Sequence, residues 1–368
     1  MSGLEEPLAR IGEDSKLRRT IIDSLAEAER DSKDPAKFRH EVRWPILEAL
    51  LKNKSELVRL QNGLVFEIQP QSRIEKALLL SLDTPPDHIW EPQTTRLACA
   101  LAKDCTNVIV GGAYIGDQAL PVAKVLESNN RNGFVYAFEP HPNVFKQLVR
   151  HIAINKLANV VAEQLVLWNR SGLDLELQGG ASLTSAFPEV TEQAKGECFA
   201  VPTVTLDDYM QQHHVGDVGL IMLDTEGAEE ATLAGAQALV GQPYPRAPHI
   251  IFEVYNRDWS LGLSSVPLIE RLVSLGYEIF AIRDLQGNLS LASRALEIIP
   301  LQDTYIANVP HGFNVLATKQ DDLARKYDLT VVKNLSPKLL SDKDTTLPFP
   351  PEIPALHLPK DGLGLDLF

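Results

Sequence analysis

The sequence predicts an α/β fold, a mainly parallel sheet with helices on both faces. Three observations carry this. From about residue 105, short apolar runs alternate with amphipathic stretches of helical period. The runs are continuous in apolar character, as strands buried on both faces require. The first run ends in a glycine turn that opens a helix, VIVGGAYIG over residues 108–116.

The elements follow in order. TNVIVGG is a buried strand, and DQALPVAKVLES is the helix after it. GFVYAFEP and NVVAEQLVLW are the second and third strands, with the helix HPNVFKQLVRHIAIN between them. VGLIMLDTEG is a fourth strand and leads into the helix AEEATLAGAQALV. PHIIFEVY is a fifth, followed by the helix SVPLIERLVSLG. YEIFAIRD and GFNVLAT supply two more strands. No helix long enough for a right-handed crossover separates that last pair, so an antiparallel hairpin is expected at the sheet edge. Residues 168–200 are polar and Gly/Ser-rich and read as a long functional loop over the cleft. Residues 284–311 read as a second long connection.

The N-terminal part has another rhythm. Residues 15–53 read as helix, with Leu17, Ile21, Leu25 and Ala28 on one stripe. A second helix through KFRHEVRWPILEALLKN is expected to bend near Pro45. In ELVRLQNGLVFEIQP, two β-rich runs flank Asn62-Gly63, a hairpin signal. The expected organisation is a helical and hairpin cap over residues 1–90, a cofactor-binding α/β domain over 91–320, and a Pro-rich tail over 321–368.

Composition narrows the function. Of 368 residues, 44% are hydrophobic and 23% charged, which is ordinary globular composition. Lys and Arg number 35 against 49 Asp and Glu, for a net charge of -14. That field opposes phosphate polymers, so nucleic acid is not expected as a partner. Cys99, Cys105 and Cys198 match neither a disulfide framework nor a zinc spacing and read as free thiols. The N-terminus lacks the basic start and apolar run of a secretory signal. No apolar stretch approaches the ~18 residues of a membrane span. A cytoplasmic protein is the expectation.

The glycine turn points to a ligand. Gly111, Gly112 and Gly116 let backbone approach it closely, and the helix that follows offers free N–H groups. The second strand ends in Phe138-Glu139-Pro140, with Glu139 lying 23 residues past Gly116. An acid at this place grips ribose hydroxyls. An adenosine-containing cofactor follows, and both NAD and S-adenosylmethionine use this geometry. The fourth strand ends at Asp224, with Glu226 and Glu229 just beyond, and the fifth ends near Glu253. Asp224 and Glu253 could share one cleft, to act as general base, orient a hydroxyl, or hold a divalent metal such as Mg2+. For Glu226 and Glu229 the alternative is capping of the next helix. His141 is expected near the adenosine. His88, His249 and His311 are expected to be surface or satisfied histidines.

VIVGGAYIG, AFEPHP, VPTVTLDDYM, LIMLDTEGAEEATLAGA and IIFEV, in this order, resemble the FkbM-type S-adenosylmethionine-dependent methyltransferases. LVFEIQPQSRIEKAL and WEPQTTRLACAL fit as well, so the resemblance runs over about residues 57–285. It implies a class I methyltransferase, Rossmann-like sheet of seven strands. It implies that Gly112, Ala113 and Gly116 face the methionine half of the cofactor and Glu139 its ribose. Gly111, Tyr114, Pro140 and Asp224 complete the implied cofactor site. Members mostly methylate hydroxyls of sugars, polyketides and other secondary metabolites, so a small-molecule or glycan acceptor is implied. The chain departs from the family pattern twice. Val110 stands where an Asp is usual, and Tyr114 where an Asn is usual. The expected activity is O-methyl transfer, with Asp224 first, Glu253 as its partner and Glu226 in support. Two other readings compete. One is an NAD-dependent oxidoreductase, for which no Tyr-x-x-x-Lys relay follows the fourth or fifth strand. The other is a catalytically silent binding protein on the same scaffold, which only Val110 favours.

Overall fold

Asn62 and Gly63 turn the chain between β1 (Glu56–Arg59) and β2 (Val65–Ile68), which pair antiparallel as the sequence predicts. Gly63 has φ +87°, and Asn62 Oδ1 accepts the Leu64 N–H at 3.0 Å. The structure, a computed structural model, describes residues 5–83, 85–129, 131–180, 183–185, 197–254, 266–304 and 312–337. The expected Pro-rich tail beyond 337 and His311 lie outside the described residues.

The expected stripe is met in part, since Ile21 and Leu25 pack against Ile22, Leu47 and Leu50. Asp14 caps the helix Ser15–Arg30, which buries Ile22, Ala26 and Glu29, while Leu17 is 45% exposed and Ala28 faces solvent. Arg43 is buried, and its guanidinium reaches Glu29 at 2.9 Å and the carbonyls of Leu79, Leu80 and Ser81. The pair accounts for a buried acid at position 29. The bend expected near Pro45 is a single π-helical turn, Arg39–Arg43, directly before the helix Trp44–Leu50. Pro45 has no N–H to give the preceding turn, so the α-helical ladder is interrupted there.

The remaining strands are β3 (Asn107–Gly111), β4 (Val135–Phe138), β5 (Val160–Glu163), β6 (Val166–Leu167), β7 (Asp174–Gly180), β8 (Leu183–Ser185) and β9 (Glu197–Val204). They continue as β10 (Val218–Leu223), β11 (His249–Val254), β12 (Glu278–Ile282), β13 (Leu296–Pro300), β14 (Phe313–Thr318) and β15 (Leu329–Val331). The main sheet runs β15-β13-β12-β14-β11-β10-β3-β4-β5. Helices Ala119–Ser128 and Pro142–Asn155 make the crossovers from β3 to β4 and from β4 to β5. Side-chain alternation assigns each strand to two cores. Val108, Val110, Leu220 and Met222 join one cluster, and Ile109, Ile221 and Leu223 join the other. Burying each such side chain contributes roughly 1.5–3 kcal/mol, so both faces must be covered. The hairpin residues Val58, Leu60, Phe66 and Ile68 belong to the first of these clusters.

The seven expected strands are all present, as β12-β14-β11-β10-β3-β4-β5, in the Rossmann-like order of a class I methyltransferase. The expected hairpin partners, β12 and β14, are antiparallel neighbours, and β14 lies between β11 and β12. Two more strands extend that edge. β13 lies in the stretch read as a connection, pairs antiparallel with β12 and buries Ile298 and Ile299. β15 pairs parallel with β13. Such short strands carry too few residues to show a period.

Residues 168–200 are not one long loop. β7, β8 and β9 lie within or across them and form a small sheet in the order β6-β9-β7-β8. Leu173, Leu175 and Leu177 turn inward, while Asp174, Glu176 and Gln178 are exposed. This is a period of two, hidden by the polar composition around it. Residues 186–196 lie outside the described residues. Among the described residues, no helix is long and apolar enough to cross a membrane.

Candidate active site

The glycine turn brings two strand ends into contact. Gly112 has φ +73°, and a Cβ there would lie 1.8 Å from the Asp224 carbonyl oxygen. Only glycine allows the ends of β3 and β10 to approach this closely. The Asp224 N–H donates to Gly111 O at 3.0 Å, and the Gly112 and Ala113 N–H groups both donate to Phe138 O at 2.9 Å. Gly116 does different work. A Cβ there would lie 2.3 Å from Leu120 Cδ1, so this glycine lets the helix pack on the turn and lines neither pocket described below.

Glu139 follows β4 and is buried. Its Oε2 accepts the Tyr114 N–H at 2.9 Å, and its Oε1 accepts the His141 N–H at 2.8 Å. Burial pushes its carboxyl up to about 7, against those two backbone donors. His141 caps the helix Pro142–Asn155, its Nδ1 accepting from the Asn143 and Val144 N–H groups.

Two adjoining pockets open at this end of the sheet. With open solvent at the mouth included, they hold about 460 Å³ and about 810 Å³ of empty space. The larger is lined by Glu139, Pro140, Trp168, Thr225 and Glu226, the smaller by Gly111, Ala113, Trp90, Asp117 and Asn314. Ile74, Gly112, Tyr114 and Asp224 line both. Asp224 therefore stands at the junction. Its side chain is open to the cleft, yet the protein around it strips away much of its hydration. That desolvation, followed by the charges of Glu253, Glu226, Glu91 and Glu229, holds its carboxyl well above the usual carboxylate range. Among the described residues, no donor reaches this carboxylate.

The neighbouring acids divide. Burial, then Glu229, pushes Glu226 up to about 7, and its backbone sits at φ +52°. Glu229 Oε1 accepts from Thr225 N at 2.7 Å and from Thr225 Oγ1 at 2.8 Å, so it ties the loop before its own helix, Glu229–Ala234. Glu253 lies beside Asp224 without lining either pocket, packed against Gly312, whose Cβ would fall 2.4 Å from Glu253 Oε1. Among the described residues, no three His, Cys, Asp or Glu side chains gather to hold a metal ion. The expected pairing of Asp224 and Glu253 has no third ligand there.

Sequence reasoning missed Glu91 and Asp117. Glu91 starts the helix Pro92–Ala102 at φ +45°, with its carboxylate accepting from Asn314 Nδ2 at 2.6 Å. Asp117 is buried in the wall of the smaller pocket, and burial pushes it up to about 7. It brings an acid to the pocket where Val110, itself a lining residue, supplies none. Glu91, Tyr114 and Glu226 are three non-glycine residues at positive φ, and all adjoin the cleft. Strain of this kind concentrates at functional sites. His249 and His88 keep clear of the junction. His249 starts β11 at the opposite end of the sheet and bonds Thr318 Oγ1, and burial lowers it to about 4. His88 is buried beside Asp87. Burial pushes the free thiols of Cys99 and Cys105 up to about 12.

Residues 111–279 match the model of the methyltransferase FkbM domain. This match is to a methyltransferase domain and not to a dehydrogenase. A search of curated proteins found no significant match. Among solved structures, TYW2 of P. horikoshii in complex with MeSAdo is 16% identical with a TM-score of 0.36, over 72% of this chain and 72% of that one. TYW2 of M. jannaschii in complex with AdoMet is 14% identical with a TM-score of 0.34, over 72% of this chain and 84% of that one. An O-methyltransferase from Bacillus cereus in complex with SAH is 13% identical with a TM-score of 0.35, over 62% and 80%. These likenesses are weak.

Proposed function

We propose that this protein transfers the methyl group of S-adenosylmethionine to a hydroxyl of a small molecule or glycan, with Asp224 as the general base. The observation that carries the reading is the place of Asp224, at the junction of the two pockets and ringed by carboxylates that raise its proton affinity. A carboxylate with a raised pKa is matched to taking a proton near neutral pH.

The residues fit the cofactor. The sugar hydroxyls would meet Glu139, which two backbone N–H groups already hold in place. Gly112 offers backbone with no side chain in the way. S-adenosylmethionine supplies a methyl group already activated by its sulfonium. The chain then has two tasks. It aligns the acceptor oxygen with that methyl, and it removes the hydroxyl proton onto Asp224. Glu253 and Glu226 assist by keeping the Asp224 carboxylate basic. The expected roles of Gly111, Ala113, Tyr114 and Pro140 are those of pocket wall and backbone. Calorimetry with S-adenosylmethionine, S-adenosylhomocysteine and NAD tests the reading. Binding of the first two without NAD supports it, and binding of NAD alone would overturn it. With an acceptor in hand, a rate lost on EDTA treatment would assign Asp224 and Glu253 to a metal instead.

A further inference from the structure

Tyr114 stands where the resembling family has an asparagine, and the structure gives the side chain a task that an asparagine is too short to perform. Its backbone N–H donates to Glu139 Oε2 at 2.9 Å. Its hydroxyl extends the other way and donates to Ser72 Oγ at 2.6 Å. Ser72 is the N-cap of the helix Arg73–Leu79, in a capping box with the buried Glu75. The second residue of that helix is Ile74, which lines both pockets. One residue thus touches the ribose-binding acid with its backbone and the N-terminal helix with its side chain.

The tether is costly to build. Tyr114 sits at φ +45°, a conformation that bulky residues rarely adopt. The hydrogen bonds at its two ends hold it there. The far end of the N-terminal helix is anchored separately, by the buried Arg43 on the carbonyls of Leu79, Leu80 and Ser81. With its C-terminal end fixed, the helix has its N-terminal end held by the capping box and, from the donor side, by the Tyr114–Ser72 bond.

We propose that Tyr114 is a positioning residue that ties the helix Arg73–Leu79 to the donor site, so that Ile74 is held in place as a wall shared by the two pockets. The inference rests on the S-adenosylmethionine reading. Donor bound against Glu139 immobilises the Tyr114 backbone, and the hydroxyl carries that order to residues 69–80. A cap alone would hold this helix equally with and without donor.

Hydrogen exchange of residues 69–80 tests this on the full chain, with and without S-adenosylhomocysteine at a concentration that calorimetry shows to be saturating for each protein. In the parent, the ligand should slow exchange in this segment severalfold. In Tyr114→Phe, the ligand-dependent slowing should vanish there while persisting over residues 111–116. Ser72→Thr keeps a hydroxyl acceptor and should retain the slowing, whereas Ser72→Ala should lose it. Equal slowing in the parent and in Tyr114→Phe would overturn the tether, as would a parent that binds the ligand and shows no slowing. A parent that shows no calorimetric binding would overturn the cofactor reading itself, a result read before any exchange is measured.

Discussion

The ends of β4 and β10 each present an acid to the same cleft, and the two acids are held in opposite ways. Glu139, after β4, accepts two backbone N–H groups and is buried. Asp224, after β10, has no donor among the described residues and faces Glu253, Glu226 and Glu91. An acid with its oxygens already engaged is fixed in space and suits recognition. An acid among like charges binds a proton more tightly and suits proton removal. The two halves of the cleft therefore divide into a holding side and a reacting side, and substitutions should separate them.

The largest expected effect is on the reacting side. Asp224→Asn keeps the shape but cannot take a proton, so turnover with an acceptor should fall by ~10²–10⁴. Affinity for S-adenosylhomocysteine should move far less. Turnover at the parental rate would make Asp224 structural and end the comparison.

On the holding side, Glu139→Ala should weaken S-adenosylmethionine by about 1.5–3 kcal/mol, read by titration calorimetry. It should also loosen the turn, because the Tyr114 and His141 N–H groups lose their acceptor. Turnover at saturating donor should hold up better than in Asp224→Asn. Unchanged donor affinity would remove Glu139 from the ribose.

The candidates for this division are legible in the sequence. Spacing marks Gly112 and Glu139 as candidates, because a strand, a glycine turn and a strand-end acid must recur at nearly fixed intervals. Asp224 is a candidate because strand ends gather at one edge of a parallel sheet. Glu91 and Asp117 were not found. Glu91 reaches the cleft from a helix before β3, and only the fold brings it there. Asp117 follows the glycine turn directly, yet no spacing rule marks a buried carboxylate at that place. The small sheet of β7 to β9 was read as a loop because Gly, Ser and Thr around it masked the inward Leu173, Leu175 and Leu177. The N-terminal stripe holds at Ile21 and Leu25, while the buried Glu29–Arg43 pair leaves no mark in hydrophobic periodicity.

A smaller effect follows from the pH behaviour of the holding acid. The Glu139 carboxyl is raised to about 7, and it must be ionised to accept both ribose hydroxyls. Ligand binding then favours the ionised form. Affinity for S-adenosylhomocysteine should be lower below pH 7 and should rise as pH passes through about 7 to a plateau. In Glu139→Gln the curve should be weaker and flatter across that range. A parent affinity independent of pH between about 5.5 and 8.5 would place the ribose elsewhere.

The smallest effect is predicted at Glu229, which sequence reasoning left between helix cap and catalytic support. Its Oε1 already serves Thr225 N and Thr225 Oγ1, which ties down the loop ahead of the helix without capping the helix itself. A glutamine amide oxygen can accept the same two donors, so Glu229→Gln should change urea-unfolding stability by less than about 1 kcal/mol, the scale of one charge at a helix N-terminus. Glu229→Ala removes the acceptor and should cost about 1–3 kcal/mol. The charge has a second reach, because Glu229 is one of the acids that raise Asp224. Removing it makes Asp224 easier to ionise, so the acidic limb of the turnover profile should move to lower pH in Glu229→Gln, with the plateau rate little changed. Glutamine and alanine variants equally unstable would show that the charge, not the acceptor, holds the loop. A collapse of the plateau rate in Glu229→Gln would move Glu229 onto the reacting side.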